Sequence, residues 1–245
     1  MGRLQGKIAL VTGGSRGIGL ATAQRLVREG AQVFIAGRDP AALALAIGQL
    51  GPSATALCAD VGHLPDLDRL FATVQRIAGR LDVLFANAGT SALTPIGSVT
   101  EQSFDQIFDT NVKGTMFTVQ KALPLMASGG SIILAGSSAA TTGTAAYGAS
   151  KAAVRALARN WILELKPRRI RVNVISPGPT RTQMLTALAP PAQVDRMIAN
   201  LAARIPSGRI ASPDDIANAV VFLASDESSF INGIDLAVDG GMAQI

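Results

Sequence analysis

The sequence predicts an α/β fold: a single domain, residues 1–245, built on a doubly wound parallel sheet of about seven strands with helices on both faces. Three observations predict it. Short apolar runs alternate with helical patterns from one end of the chain to the other, as in repeated βαβ units. Crossovers between parallel strands are right-handed, which sends helices to both faces of the sheet. The chain has 245 residues, 48% of them hydrophobic and 16% charged, with 25 glycines. At that size about three quarters of the unfolded surface can be buried, so no disulfide is needed.

Each element follows from local signals. Lys7–Val11 is a buried strand, Ile-Ala-Leu-Val between glycines. Ile18–Arg28 is a helix ended by Gly30, and Gln32–Ala36 the second strand. Pro40–Leu50 is a helix with proline at its start and Gly51 at its end. Ala54–Ala59 is the third strand, Leu67–Ala78 a helix stopped at Gly79, and Leu81–Ala86 the fourth strand. Phe104–Met126 is a long helix ended by Gly129-Gly130, and Ser131–Ala135 is the fifth strand. Tyr147–Leu165 is a helix stopped by Pro167, before the sixth strand, Ile170–Ile175. Asp214–Ala224 is the final helix and Ile234–Val238 the final strand. The one long excursion, residues 182–206, is rich in Ala, Leu and Met and has Pro190-Pro191 inside it. It reads as a substrate lid, because ligands in open α/β sheets bind beyond the carboxyl ends of the strands.

Composition narrows the function. The net charge is +5, but the basic residues are scattered, and one Trp and one Tyr leave few stacking platforms, so a nucleic-acid partner is not expected. With a single His and a single Cys no Cys/His metal site is expected. Cys58 reads as a small buried residue and His63 as part of a surface turn. The N-terminus has no apolar signal core and no run is long enough to span a bilayer, so a cytoplasmic protein with no membrane partner is expected.

The first strand ends in Thr12-Gly-Gly-Ser-Arg-Gly-Ile-Gly19, where a helix begins. Glycines at 13, 17 and 19 leave bare backbone where a pyrophosphate must approach. The helix N-terminus aims free N–H groups at that anion. The spacing is G-x-x-x-G-x-G rather than the common G-x-G-x-x-G. The second strand ends in Ala36-Gly-Arg-Asp39. An arginine there suits a ribose 2′-phosphate, where an acid would bond a 2′-hydroxyl. Arg16 can reach the same phosphate, so NADP(H) is the predicted cofactor, although Asp39 puts an acid one residue later.

Tyr147-Gly-Ala-Ser-Lys151 places a phenol and an ammonium side by side, four residues apart on one helix face. A phenol of pKa about 10 is a poor proton donor or acceptor at neutral pH. A neighbouring cation lowers that value.

With these motifs in order, the chain resembles the short-chain dehydrogenase/reductase family over its whole length. The matching residues are the Thr12–Gly19 turn, Asp60-Val61, Asn87-Ala-Gly89, Asn111-Val-Lys-Gly114, Ser137, Tyr147–Lys151, Pro177-Gly178 and Asp239-Gly-Gly241. The resemblance implies a Rossmann-like fold and a hydride transfer in which Tyr147 gives a proton to the carbonyl oxygen and Ser137 holds that oxygen. It implies that Lys151 binds the nicotinamide ribose and depresses the Tyr147 pKa, and that Asn111 kinks its helix and holds a water of the proton relay. Cofactor contacts are then expected from Gly13, Ser15, Arg16, Gly17, Ile18, Gly19, Arg38, Asp60 and Val61, the last two at the adenine. Others are expected from Asn87, Ala88, Gly89, Tyr147, Lys151, Pro177, Gly178, Thr180 and Thr182. A homotetramer is also implied, with the last strand and the helices around Phe117 and Trp161 at its interfaces.

Two departures from the family pattern stand out. The stretch from Ser137 to Tyr147 is shorter than usual, and Gly136-Ser137-Ser138 offers two serines, of which Ser137 directly follows the fifth strand. Ala86 also stands where many members carry asparagine. The cleft candidates Ser91, Leu93, Ala139, Thr144, Met184, Leu185, Leu188 and Met197 are mostly apolar and suit a hydrophobic small-molecule ketone or alcohol. The predicted function is NADPH-dependent reduction of a ketone to a secondary alcohol, or its reverse. The nearest rival is a 3-oxoacyl carrier-protein reductase, which needs a basic patch for its acidic partner; Arg168 and Arg169 are the partial support for one. A rival of another class is a non-catalytic NADP-binding scaffold or sensor, and the complete set of Asn111, Ser137, Tyr147 and Lys151 argues against it.

Overall fold

The computed structural model describes residues 2–138 and 143–244. Strands β1 (Ile8–Thr12), β2 (Gln32–Gly37), β3 (Ala54–Cys58), β4 (Leu81–Ala86), β5 (Met126–Ala135), β6 (Arg171–Pro177) and β7 (Asp235–Val238) form one parallel sheet in the order β3-β2-β1-β4-β5-β6-β7. Helices α1 (Gly17–Arg28), α2 (Pro40–Leu50) and α3 (Leu64–Ala78) follow the first three strands. After β4 come α4 (Glu101–Phe108), a π turn (Asp109–Lys113) and α5 (Gly114–Ala122). Then α6 (Ala145–Glu164), α7 (Gln183–Thr186), α8 (Val194–Ala202) and α9 (Pro213–Ala224) complete the set.

The period-2 alternation of the strands sorts the core into two layers. Ile8, Leu10, Phe34, Leu84, Ile132 and Val172 face one side, against Leu67, Phe71 and Val74 of α3, Val119 of α5, and Val154 and Trp161 of α6. Ala9, Val11, Val33, Ile35, Phe85 and Ile133 face the other, against α1, α2 and α9. Phe34 and Phe85 are wholly buried, one on each side. Truncating either to alanine would cost about 3–5 kcal/mol. A smaller third cluster, Ile198, Ile205 and Ile210 with Leu185, Val194 and Leu201, packs residues 182–206 against the segment that follows them.

The sheet reverses between β1 and β4, which puts a crevice at the strands' carboxyl ends. Among the described residues no helix is long and apolar enough to cross a membrane.

Several boundaries differ from the sequence reading. The long helix begins at Glu101, capped by Thr100, and ends at Ala122, not Met126. Pro124 cannot continue a helix, and Met126 instead opens β5 by pairing with Leu81. Gly129 and Gly130 therefore lie inside β5, where the register shifts, and do not end the helix. Cys58 is exposed rather than buried, because it ends β3, an edge strand. His63 does lie in a surface turn, exposed just before α3, with Nδ1 2.6 Å from Asp66.

Arg168 does not offer a basic patch. Its guanidinium turns inward and donates to the carbonyls of Leu123 (2.8 Å) and Met126, closing the end of the long helix.

Candidate active site

A cavity of about 630 Å³ opens along the carboxyl ends of β1 to β6. Strand order sets its long axis: Arg38, Asp39 and Asp60 at the β2–β3 end, the glycine turn in the middle, and Tyr147, Met184 and Met197 beyond β5 and β6.

The glycine turn is built for close approach. Gly13 has φ +64°, and a Cβ on it would sit 3.0 Å from the Ala88 Cα. A Cβ on Gly19 would meet the Gly13 carbonyl at 2.1 Å. No side chain caps the start of α1, and Gly17, Ile18 and Gly19 line the cavity. Bare backbone amides at the positive end of a helix suit a pyrophosphate. Thr12 braces this turn, its Oγ1 accepting from the N–H groups of Asn87 and Ala88, both at 3.0 Å. Asn87 returns a hydrogen bond to the Thr12 carbonyl at 3.0 Å. Val61, Gly89, Pro177, Gly178, Thr180 and Thr182 also reach the cavity wall. Thr180 turns its hydroxyl to the Gly178 carbonyl (2.9 Å), and Thr182 caps α7.

Both arginines line the far end of the cavity, and each faces a carboxylate. Arg16 Nη2 lies 2.7 Å from Asp39, and Arg38 Nη1 lies 3.7 Å from Asp60. Asp39 also accepts from the N–H groups of Ala41 and Ala42, capping α2. Those backbone bonds, with Arg16, hold its carboxyl below the ordinary value of 3.8. Arg16 reaches α7 as well, donating to Gln183 Oε1 at 3.3 Å.

At the other end, α6 carries Tyr147 and Lys151. The Lys151 Nζ donates to the Ala135 carbonyl at 2.8 Å and lies 5.6 Å from the centre of the Tyr147 ring. Lys151 is only 5% exposed, and burial of its ammonium drops the pKa from 10.5 to about 8. The Tyr147 phenol is pushed above its ordinary 10 by burial, and its hydrogen bond with Ser137 opposes that shift. The expected lowering by Lys151 is thus not found: the ammonium points at a carbonyl, and burial of the ring dominates. Ser138 turns away, its Oγ donating to the Pro177 carbonyl at 3.3 Å. Of the two serines, then, Ser137 is the one at the phenol.

Asn111 is fully buried in the π turn. Its Oδ1 accepts from Thr90 N (2.8 Å), and its Nδ2 donates to Thr90 O and Ser150 Oγ, both at 2.9 Å. The distortion of the helix is present, and both amide hydrogens are committed to protein partners. Ser150 in turn donates to the Tyr147 carbonyl at 2.7 Å. Ser150 is a residue the sequence reading missed, although its place beside Lys151 was a signal. The bracing role of Thr12 was missed in the same way, whereas Asp39, singled out as an acid near the 2′-phosphate position, proves to cap α2 and to pair with Arg16.

Of the substrate candidates, Ser91, Leu93, Thr144, Met184, Leu185, Leu188 and Met197 line the cavity together. Ala139 lies outside the described residues, as does part of the shortened loop. The loop's far end is held: Gly143, at φ +80°, accepts from Thr94 N at 2.8 Å. Among the described residues no cluster of His, Cys, Asp and Glu could hold a metal.

Comparison with known proteins finds relatives over nearly the whole chain. A family model described as enoyl-(acyl carrier protein) reductase matches residues 13–243. The chain is 46% identical over 248 residues to oxidoreductase asL5 of Sarocladium schorii, covering 99% of this chain and 98% of that one. It is 36% identical to the hydroxynaphthalene reductase-like protein Arp2 of Metarhizium robertsii, over 97% of this chain and 95% of that one. Among solved structures, levodione reductase superposes with a TM-score of 0.93 at 28% identity, covering 98% of this chain and 99% of that one. A short-chain type dehydrogenase/reductase from Mycobacterium marinum superposes with a TM-score of 0.90 at 33% identity, over 98% and 96% of the two chains.

Proposed function

The chain belongs to the short-chain dehydrogenase/reductase family, and from that premise we propose that it reduces an apolar ketone to a secondary alcohol with NADPH, reversibly. The observation that carries this reading is the Ser137–Tyr147 hydrogen bond with Lys151 buried one helical turn along. Bound NADPH would supply the hydride. Ser137 and Tyr147 would hold the carbonyl oxygen from two sides, and as charge grows on that oxygen Tyr147 Oη would give it a proton. Lys151 would turn from the Ala135 carbonyl to the nicotinamide ribose, and its ammonium would then favour the phenolate left behind. Asn111 would hold the Thr90 backbone and Ser150 in place beneath them.

Arg16 and Arg38 support NADP(H) over NAD(H), since both can leave exposed carboxylates for a 2′-phosphate. Met184, Leu185 and Leu188 support an apolar substrate beneath the lid. One relative is named for hydroxynaphthalene, so bicyclic ketones belong in any substrate panel. Support for a carrier-protein substrate is reduced to the exposed Arg169, since Arg168 is turned inward. A homotetramer fits the exposed Leu163, Phe230 and Ile234 near the edge strand β7. Light scattering of the purified protein checks this.

The test of the function is turnover of a ketone panel by the purified protein with each nicotinamide. Reduction of apolar ketones with NADPH is expected. No turnover of any ketone or alcohol, with NADPH still bound, would point to a sensor and overturn the reading.

A further inference from the structure

We propose that Arg155 is a positioning residue for the catalytic serine, acting on the Ser137 peptide from outside the cleft. The inference rests on the role of Ser137 proposed above. Ser137 lies two residues beyond the end of β5, where no strand ladder holds it. The N–H groups on either side of it are tied to β6: Gly136 N donates to Ile175 O at 2.7 Å and Ser138 N to Pro177 O at 3.1 Å. That leaves the Ser137 carbonyl, and Arg155 Nη1 donates to it at 2.9 Å.

Arg155 sits on α6, four residues beyond Lys151 and eight beyond Tyr147. The helix that carries the phenol and the ammonium thus also grips the serine's backbone.

The guanidinium is itself anchored. Its Nε lies 3.6 Å from Asp235 Oδ2, at the start of β7. Asp235 Oδ1 accepts from Ser176 Oγ at 2.5 Å. Ser176 closes the circle, because a Cβ placed on Gly136 would meet its Oγ at 2.5 Å. Arg155, Asp235 and Ser176, none of which lines the cavity, therefore brace the Gly136–Ser137 backbone from behind. With three backbone groups held, the serine hydroxyl keeps one main freedom, its χ1 rotation.

The Arg155–Asp235 pair is about one-third exposed on both sides, and such pairs add little to stability. The charge-assisted bond to a carbonyl at the active-site corner is the more specific interaction. Displacing a catalytic group by about 1 Å can cost on the order of 100-fold in rate.

The test uses Arg155→Ala, Arg155→Lys, Asp235→Asn, Ser137→Ala and the double variant Arg155→Ala/Ser137→Ala, each measured for kcat, KM and NADPH binding. Arg155→Ala is expected to lower kcat by ~10- to 100-fold, with NADPH affinity and melting temperature nearly unchanged. Arg155→Lys and Asp235→Asn should lose less. Because Arg155 acts through Ser137, removing it in the Ser137→Ala background should cost almost nothing further. A kcat for Arg155→Ala close to that of the parent, while Ser137→Ala is impaired, overturns the proposal. So do losses that multiply in the double variant, which would mark a general structural role. Full activity in Ser137→Ala would instead overturn the reading of the serine, and this inference with it.

Discussion

Replacing Lys151 with methionine is expected to stabilise the cofactor-free protein while removing its turnover. The ammonium is buried with, among the described residues, one backbone carbonyl as its hydrogen-bond partner, and its pKa falls from 10.5 to about 8. That fall corresponds to about 3 kcal/mol against the charged form. Methionine fills a similar volume without the charge, but it leaves the Ala135 carbonyl unpaired, which returns about 1–2 kcal/mol. The net gain is about 1–2 kcal/mol. For a domain of this size each kcal/mol moves the melting temperature by about 2–4 °C, so a rise of roughly 2–8 °C is expected at pH 7.

The pH dependence has a definite sign. Because the folded pKa is depressed, the penalty is fully present below about pH 8. It is relieved as pH rises toward 10.5, where the unfolded chain still binds a proton that the folded one has released. The advantage of the methionine variant should therefore shrink between pH 8 and pH 10. Thermal melts without cofactor across that range, beside kcat at pH 7, check both parts. A lower melting temperature for the variant, or an advantage independent of pH, would refute the reasoning.

Three further outcomes are expected. Arg16→Ala and Arg38→Ala should each lower kcat/KM with NADPH by about tenfold and barely alter it with NADH, since a charge-assisted bond contributes about 1.5–3 kcal/mol and each guanidinium must leave a carboxylate; a wild-type protein that uses NADH equally well would end this reading. Tyr147→Phe should lower kcat by ~10²- to 10⁴-fold with NADPH binding intact, which steady-state rates and a binding titration check together. Met184→Ala and Leu188→Ala should reorder relative rates across a ketone panel while leaving the KM for NADPH near its parent value, and hydrogen exchange over residues 182–206 should slow when NADPH binds.

Much of the molecule was legible in the chain because its signals are local. Alternating apolar residues such as Ile8 to Val11 assign strand faces directly, and both core layers follow from them. Gly13, Gly17 and Gly19 mark a turn that side chains would block, and the four-residue spacing of Tyr147 and Lys151 places both on one helix face. The missed boundary at Pro124 was also local, since proline ends helices. The remaining differences are not local. Arg168 and Arg155 look like surface charges on their own segments, yet they reach carbonyls 45 and 18 residues away in sequence. The exposure of Cys58 depends on β3 being an edge strand, which is a matter of strand order. The Tyr147 phenol is raised rather than lowered because burial acts on it more strongly than its hydrogen bond with Ser137. Backbone periodicity and turn chemistry are written residue by residue, so the sequence alone determined the sheet, the cofactor turn and the Tyr147/Lys151 pair. Desolvation and the partners of long side chains arise only when distant segments pack, so the tertiary structure alone decided the directions of the Tyr147 and Lys151 pKa shifts and the backbone that Arg155 holds.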